Sequence, residues 1–380
     1  MTKKRTILEL SSLFLKLGIT AFGGPAAHIA MMRSEVVDRK GWLTDTEFLD
    51  LLAATHLIPG PNSTELAIHI GLKKGKLWGL LLSGLCFIVP AAVIVGTMAW
   101  AYVRYSQTPQ LGWLMYGVSP IIIAIIVQAV LKLSKTALRN KFLLILGVSI
   151  TGLSIAGINE LLLLGAAAIL VVSTRIKWSG FITGLLFALA STTLLSNTLI
   201  TTVQTVPVTL TRLTLFFLKT GSILFGSGYV LLAFLRADLT ERWGWLTEQE
   251  LIDAVTIGQL TPGPVFTTAT FIGYLLEGWP GAILATVGIF GPGFVFVALT
   301  QPVMSKLRES TIASGILDGL VVASLGLMAA VAWQLFLTTI VDIPTLALVI
   351  TASLILIVWN PNSTWLILMG AVVGWLVQGG

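Results

Sequence analysis

Two lysine residues lie deep inside apolar segments of this chain. Lys16 and Lys219 each occur roughly nine residues, about 13 Å of helix, into a stretch that is apolar enough to cross a membrane. A lysine at the centre of a bilayer costs roughly 2.5–3.5 kcal/mol on insertion scales. A side chain that snorkels to the interface is the alternative explanation. We predict instead that both lysines face an internal pathway, where they would supply counter-charge to an anion.

The tripeptide Pro-Gly-Pro interrupts two other apolar segments, at Pro59-Gly60-Pro61 and at Pro262-Gly263-Pro264. A residue before proline is pushed out of helical geometry, glycine accepts any backbone angle, and proline suits the first position of a new helix. The start of a helix carries about half a positive charge and free donors. The amides concerned are those of Asn62, Ser63 and Thr64 in the first copy and Val265, Phe266 and Thr267 in the second. We predict that the two breaks bind an anion; the simpler alternative is a kink tolerated in a helix bundle.

A second pair of breaks lies within the lysine-bearing segments, at Phe22-Gly23-Gly24-Pro25 and at Phe225-Gly226-Ser227-Gly228. We include Gly23, Gly24, Gly226 and Ser227 among the substrate-binding candidates. Small residues also allow helices to pack closely, and this alternative explains the motif equally well.

Six further residues are candidates for gating or coupling: His28, Arg33, Asp50, Glu65, Arg236 and Asp253. The arginines lie at the far ends of the lysine-bearing segments, where they would either guard an entrance or snorkel. Thr44-x-x-Glu47 and Thr247-x-x-Glu250 are predicted to start two helices as capping boxes. The aspartates fall in the second turn of these helices, so they either complement the helix dipole or take part in proton coupling or a salt bridge. His28 and Glu65 border the breaks and could carry a proton. The simpler interpretation of these two is an ordinary, satisfied polar residue.

These residues recur because the chain contains an internal repeat. Residues 14–61 align without a gap onto 217–264, at a constant offset of 203 and with 19 of 48 positions identical. A lysine and two breaks inside apolar segments, each present twice, are typical of a transporter built from two halves.

The amino-acid composition indicates that the chain lies in a membrane. The chain is 56% hydrophobic and 11% charged, whereas a soluble domain carries roughly 25% charged residues. The sequence therefore predicts an all-α polytopic membrane protein. A single cysteine, Cys86, excludes an intramolecular disulfide and a cysteine-based metal cluster, and we expect neither a metal nor a cofactor. The net charge of +6 lies mostly in loops, and a nucleic-acid role has no support.

Thirteen segments are candidate membrane spans, since a crossing helix needs about 20 apolar residues. Six spans in the first half match six in the second, and the segment 178–202 remains as a linker helix. This predicts repeats over 1–176 and 209–380, joined by residues 177–208. Six plus one is an odd number of crossings, so the second half should be inverted. The count falls to eleven if the element at 48–70 and its twin are re-entrant.

Loop charges test this orientation independently. With a cytoplasmic N-terminus and thirteen spans, the inside loops collect 16 Lys/Arg and the outside loops 5, in agreement with the positive-inside rule. Equivalent loops also change character, because Lys73, Lys74 and Lys76 of the first half correspond to Glu277 in the second. We predict a cytoplasmic N-terminus and an external C-terminus.

The motifs together resemble a known family. Phe22-Gly23-Gly24-Pro25-x-x-His28, Trp42-Leu43 and Pro59-Gly60-Pro61, with their second-half counterparts, resemble the chromate ion transporter family in its long, two-domain form. The resemblance implies a bacterial or archaeal inner-membrane protein that exports chromate and confers chromate resistance. The family is also linked to sulfate, which has the same charge and shape. Ser227 departs from the family pattern, in which a glycine is expected.

A membrane-embedded enzyme and a scaffold protein are two alternatives to a secondary anion transporter. A membrane-embedded enzyme would need a nucleophile–base pair or metal ligands within reach, but the sequence has no HExxH motif and its three histidines lie in one half. A scaffold protein would not need lysines inside the membrane. The sequence leaves open the choice between chromate and sulfate, the coupling ion and a homodimer.

Overall fold

The structure is a computed structural model that describes residues 3–22, 24–105, 108–175, 206–225, 230–300, 310–359, 361 and 363–379. Within these ranges every regular element is helical, which confirms the all-α fold class. The predicted linker helix at 178–202 lies outside the described residues, as do Gly23, Gly226 and Ser227.

Seven helices make up the described part of the first half. They are α1 (Lys3–Thr20), α2 (Gly24–Arg33), α3 (Asp45–Thr55), α4 (Asn62–Tyr105), α5 (Pro109–Ala137), α6 (Lys141–Ile155) and α7 (Glu160–Arg175). A π-helical turn, Ser34–Arg39, continues α2.

The described part of the second half contains the same series in the same order. Its helices are α8 (Leu210–Ile223), α9 (Leu231–Phe234), α10 (Glu248–Leu260), α11 (Thr268–Thr300), α12 (Thr311–Thr339), α13 (Ile343–Val358) and α14 (Ser363–Gln378). A π-helical turn, Leu235–Arg242, continues α9, and a 3-10 turn, Val265–Thr267, precedes α11. The repeat seen in the sequence is therefore a repeat of structure along nearly the whole chain.

The first Pro-Gly-Pro break is the tip of a helical hairpin. The ammonium of Lys73 lies 2.8 Å from the carboxylate of Glu47, although 26 residues of straight helix would separate them by about 39 Å. Helix α3 therefore runs to the break and the first part of α4 returns from it. The segment 48–70 has the path of the re-entrant alternative rather than that of a continuous span.

A sharp bend divides α4 into a short arm (62–75) and a long arm (77–105). Lys76 has φ 53° and ψ −145°, and Gly71 packs so closely on Gly79 and Ser83 that it has no room for a β-carbon. Helix α11 bends in the same way at Gly278, where φ is 62°, and is divided into a short arm (268–276) and a long arm (279–300). The short arms run back from the Pro-Gly-Pro breaks, and at the bends the helix axis changes direction into the long arms.

The lysine-bearing segment of the first half also turns back on itself. Nε2 of His28 lies 3.0 Å from the carbonyl oxygen of Ala21, and Nζ of Lys16 lies 3.0 Å from Oε1 of Glu35. Helix α2 and its π-helical turn therefore return beside α1. The prediction that this segment is one of the thirteen membrane spans, crossing as a single helix over 8–32, is wrong, because the glycine break reverses the chain instead of merely interrupting a helix.

Capping boxes start the hairpins where the sequence predicts them. The Thr44 hydroxyl accepts from the Glu47 amide at 3.2 Å, and the Glu47 carboxylate accepts from the Thr44 amide at 2.9 Å. Thr247 and Glu250 repeat this arrangement at 3.2 and 2.8 Å. Both boxes are confirmed, and they satisfy amides that the first turn of a helix otherwise leaves without partners.

The outer helices of each half pack on the opposite half. Helices α6 and α7 pack against α12, whereas their counterparts α13 and α14 pack against α5. Glycines bring the backbones together: Gly117 lies against Gly370 and Gly374, and Gly326 against Gly147. The two repeats therefore interpenetrate.

The long arms of α4 and α11 run antiparallel. Gly84 packs on the ring of Phe294, while Gly96, further along α4, packs on the ring of Trp279, which comes earlier in α11. These arms are equivalent in the repeat. The equivalent arms of the two halves therefore run in opposite directions where they pack together.

Four of the described helical segments are long and apolar enough to cross a membrane: Asn62–Tyr105, Gly112–Ala137, Val265–Thr300 and Thr311–Thr339. Their outer faces are apolar, as at Val93 and Val287, whose exposed fractions are 55% and 59%. Such faces suit lipid, and the chain is a multi-pass membrane protein.

Candidate functional site

Each Pro-Gly-Pro break forms a hydrogen bond with the opposite half of the chain. The amide of Gly60 donates to the carbonyl oxygen of Leu224 at 2.7 Å, and the amide of Gly263 donates to that of Ala21 at 2.9 Å. Ala21 and Leu224 are themselves equivalent positions in the repeat. The two hydrogen bonds are therefore reciprocal, and both Pro-Gly-Pro loops lie where the halves join.

Glycine is required at the centre of both motifs. Gly60 has φ 136° and Gly263 has φ 88°, values that residues with a β-carbon rarely adopt. A β-carbon at Gly60 would also overlap the Glu65 carboxylate, and one at Gly263 would overlap Ala91. The flanking prolines are buried, except Pro59, which is half-buried.

Some of the predicted donors already have acceptors within the breaks. The Thr64 amide donates to the Pro61 carbonyl oxygen at 2.8 Å. The amide and hydroxyl of Thr267 donate to the Pro264 carbonyl oxygen at 3.0 and 2.8 Å, which leaves Thr267 without a free donor for an anion. The first-turn amides of Asn62 and Ser63 remain, because the start of a helix offers them no partner within the helix.

Gly24 begins α2 in a left-handed backbone conformation, with φ 75°. Among the described residues, no atom lies within 4 Å of the place where a β-carbon of Gly24 would be. Of the four glycine and serine candidates at the second pair of breaks, Gly24 is the one that the described residues include.

His28 connects the tip of the α1–α2 hairpin to the start of α4. Its Nε2 lies 3.0 Å from the carbonyl oxygen of Ala21, and its Nδ1 lies 3.3 Å from Oγ of Ser63. A carbonyl oxygen can only accept, so Nε2 carries a proton and donates it to Ala21. The same carbonyl of Ala21 receives the Gly263 amide. The position equivalent to His28 in the second half is Leu231.

Glu65 is the most isolated charged group among the described residues at the breaks. Its side chain is 0% exposed, and neither carboxylate oxygen has a hydrogen-bond partner. It lies over the first Pro-Gly-Pro loop, and a β-carbon at Gly293 of α11 would be 3.7 Å from Oε1. The carboxyl group is therefore held between the loop of one half and the long arm of the other.

The structure gives both candidate lysines carboxylate partners within their own halves. Lys16 pairs with Glu35 at 3.0 Å, and Lys219 pairs with Asp238, which is 4% exposed, at 2.8 Å. The acids lie on the π-helical turns that return beside α1 and α8. Each of these carboxylates also pairs with an arginine, Arg39 or Arg242. The contacts therefore place each lysine in an ion-pair cluster of its own half, and the supply of counter-charge to an anion by both lysines stays a prediction.

Arg33 and Arg236 form equivalent ion-pair clusters at the start of the next helix. Arg33 bonds to Asp38 and Asp45, and Arg236, whose side chain is 13% exposed, bonds to Glu241, Glu248 and Gln334. Each arginine thus fastens a π-helical turn to the helix that leads to the break.

Sequence reasoning missed the acidic partners of these cations. The internal repeat indicates these acids, because each has an acidic counterpart at the same offset of 203. The pairs are Glu35 with Asp238, Asp38 with Glu241, and Asp45 with Glu248. Acids of like charge at equivalent positions indicate paired clusters as clearly as the two lysines do.

A cavity of about 390 Å³ contains the second candidate aspartate. Asp253 is 3% exposed and accepts from Tyr102 at 2.7 Å and from the Gln249 side chain at 2.8 Å. Its repeat partner Asp50 is exposed. The two aspartates therefore differ, since one is buried and hydrogen-bonded across the halves and the other faces outward.

A second cavity, of about 450 Å³, opens beside Lys16. Four cations and two acids line it: Arg5, Lys16, Arg39, Lys40, Glu9 and Glu35. Since its charged groups sum to a net positive charge, it would attract anions. Within the described residues, no cluster of three or more His, Cys, Asp or Glu could hold a metal ion.

Interpenetrating repeats that bring broken helices together in a membrane define the architecture of a secondary transporter. The profile of the chromate transporter family matches residues 8–190 and 211–375. The chain therefore belongs to the chromate transporter family, which is a family of transporters and not of enzymes.

Curated relatives match along nearly their whole length. A chromate transport protein of Cupriavidus metallidurans is 32% identical, over 98% of this chain and 93% of its own. A chromate transport protein of Pseudomonas aeruginosa is 30% identical, over 97% and 92%. A probable chromate transport protein of Synechococcus elongatus is 30% identical, over 90% and 87%. No solved structure matches the chain.

Proposed function

We propose that this protein carries chromate, or an oxyanion of the same charge and shape, out of the cell across the cytoplasmic membrane. The chain belongs to the chromate transporter family. The observation that carries the proposal is the pair of hydrogen bonds by which each Pro-Gly-Pro break contacts the opposite half. Sulfate is the competing substrate, because it offers the same four oxygens and the same charge to a donor set.

The anion would bind where the hairpin tips meet. The first-turn amides of Asn62 and Ser63 and the space beside Gly24 are the groups best suited to it. A helix N-terminus favours negative charge, and its amides in a membrane need partners. Thr267 and the glycine amides of both motifs would instead hold the loops in place.

Membrane potential favours export. Moving one charge across 100 mV is worth about 2.3 kcal/mol, so a dianion leaving a negative-inside cell releases about 4.6 kcal/mol. Efflux on this view needs no other energy source, and it would confer resistance to chromate.

Inverted orientation of the halves is the second part of the proposal. It is supported by the antiparallel packing of the equivalent long arms. Suppose that each helical hairpin enters the membrane and returns to the side from which it came. The cations outside the membrane on the external side are then four arginines: Arg104, Arg212, Arg236 and Arg242. The remaining loop lysines and arginines then lie inside, as the positive-inside rule requires.

The lysines would act at the entrances rather than at the centre. The cavity beside Lys16 would serve as an inner vestibule, where Arg5, Arg39 and Lys40 add positive charge. Lys219 would occupy the equivalent place on the outer side. Electrostatic attraction into such a vestibule raises the local anion concentration and weakens with salt.

Anion efflux from vesicles tests the proposal. Purified protein is reconstituted, and the loss of chromate, sulfate and molybdate is compared under an imposed potential. Faster chromate loss than from empty vesicles, increasing with a negative interior, is the expected result. Equal rates with and without protein for all three anions would refute transport of this class.

A further inference from the structure

Glu65 lies in a place where an ionised carboxylate is hard to accommodate. It is fully buried, its two oxygens have no hydrogen-bond partner among the described residues, and it lies at the start of α4 beside Gly60. A buried charge without a partner is normally neutralised by a proton or by a bound ion. The described structure around Glu65 therefore calls for one of the two.

The two halves differ at this point. The repeat position of Glu65 is Thr268, whose hydroxyl donates to the Val265 carbonyl oxygen at 2.8 Å. The positions of His28 and His69 are taken by Leu231 and Ile272 in the second half. Titratable groups thus border the break of one half, although the backbone of the other half follows the same path.

Other ionisable groups on the elements packed against α4 have their own surroundings. On α1, Lys16 pairs with Glu35; on α2, His28 bonds to Ala21 and Ser63; on α3, Glu47 pairs with Lys73, and Asp50 is exposed. Asp253 on α10 bonds to Tyr102, and α11 faces Glu65 with Gly293. His69 lies one turn further along α4, and His56 precedes the loop and bonds to Asn62.

A carboxylate and an oxyanion cannot easily share this place. Both would seek the donors and the positive end of the same helix. Two like charges within a few ångströms in a low-dielectric interior repel strongly, and one of them is then neutralised or leaves. Binding of the anion and ionisation of Glu65 should therefore exclude each other.

We propose that Glu65 is a proton-binding site coupled to the anion site. Its carboxyl group must hold a proton while the oxyanion is bound beside the first Pro-Gly-Pro loop. At a pH at which the empty site is ionised, binding of the anion therefore takes up a proton, and the proton is released when the anion leaves. The O–H bond forms on a Glu65 oxygen with a proton from water and breaks again to return it to water. One proton then accompanies each dianion, so the complex that crosses carries one negative charge instead of two.

This inference rests on the proposed function, and proton uptake on binding tests it. Wild-type protein in weakly buffered detergent at pH 8–9, where chromate is itself a dianion, receives chromate while a pH dye is monitored. We expect uptake of about one proton per bound anion and an affinity that falls about tenfold per pH unit where Glu65 is ionised. Binding without proton uptake by the wild type would overturn the inference even if no variant folds.

Three variants assign the proton to its residue. Glu65→Gln should bind chromate with the same affinity across this pH range and take up no proton, whereas Glu65→Asp should keep the uptake. Asp318→Asn, which alters a carboxylate of α12 that pairs with Arg175, should behave like the wild type. Uptake that persists in Glu65→Gln, or disappears in Asp318→Asn alone, would refute the assignment to Glu65.

Flux measurements separate this inference from the function on which it rests. In vesicles the wild type should move one net charge per chromate and Glu65→Gln two, as measured by current against chromate loss. If the wild type moves no chromate, the proposed function fails. If it moves chromate with two charges and no proton, the coupling at Glu65 alone fails.

Discussion

The amide of Gly263 donates a hydrogen bond to the carbonyl oxygen of Ala21, 242 residues earlier in the chain. The same carbonyl oxygen receives Nε2 of His28. Together with the equivalent bond from Gly60 to Leu224, this contact holds each break against the hairpin tip of the opposite half. Each Pro-Gly-Pro loop is therefore bonded directly to the opposite half.

Substituting the motif glycines should abolish transport. Gly60→Leu and Gly263→Leu would place a β-carbon on a backbone with φ 136° or 88°, and it would overlap Glu65 or Ala91. Strain of this kind costs about 1–3 kcal/mol before the overlap is counted. We expect chromate efflux below about a tenth of the wild-type rate, with protein still present in the membrane.

Gly165→Leu on α7 is the matched control, since no described residue lies within 4 Å of its β-carbon position. It should keep near wild-type efflux. Normal transport by both motif variants would reduce Pro-Gly-Pro to a packing kink.

The bends at Lys76 and Gly278 should lie on opposite sides of the membrane. Reporter fusions after Lys76 and after Glu277 measure this directly, because the two positions are equivalent bends of α4 and α11. We expect a cytoplasmic signal for the first and an external signal for the second. The same side for both would end the inverted arrangement, despite the antiparallel long arms.

Much of the fold could be predicted from the sequence, because it depended on local rules. The capping boxes at Thr44 and Thr247 follow from a threonine and a glutamate three residues apart, and both formed as expected. The breaks at Gly60 and Gly263 follow from proline and glycine chemistry. Repetition of the motifs then identified the two halves.

The paths between these signals could not be predicted in the same way. Hydropathy measures whether a segment is apolar and not whether it crosses or returns, so the reversal between α1 and α2 was missed. The ion pair of Lys16 with Glu35 joins residues 19 apart and depends on that reversal. The packing of α13 and α14 on α5 likewise joins parts of the chain that no local pattern connects.

Close packing at Gly117 should be essential for the stability of the exchanged helices. A side chain at Gly117 would overlap the backbone at Gly370 and Gly374, and overpacking of a tight contact typically costs about 1–3 kcal/mol. We expect Gly117→Leu to lower the thermal unfolding temperature in detergent by several degrees. Gly152→Leu on α6, where the space is open, should leave it unchanged, and equal stability of the two variants would contradict close packing of α5 on α14.

The role of the lysines can be separated from that of their ion pairs. We expect Lys16→Met and Lys219→Met to lose most chromate efflux and Lys→Arg variants to retain part of it. Two causes would give this result: loss of positive charge at an entrance, or a carboxylate left unbalanced. The second cause is stronger at Lys219, because Asp238 is 4% exposed and would keep only Arg242 as a partner.

Double variants distinguish these causes. Lys16→Met with Glu35→Gln and Lys219→Met with Asp238→Asn remove the ion pairs without leaving an unbalanced acid. If the lysines attract the anion, the double variants should stay as inactive as the single ones. The rate of chromate efflux by the wild type should also fall with rising salt. Recovery of efflux in both double variants would show that the lysines act by balancing their own carboxylates and not by attracting the transported anion.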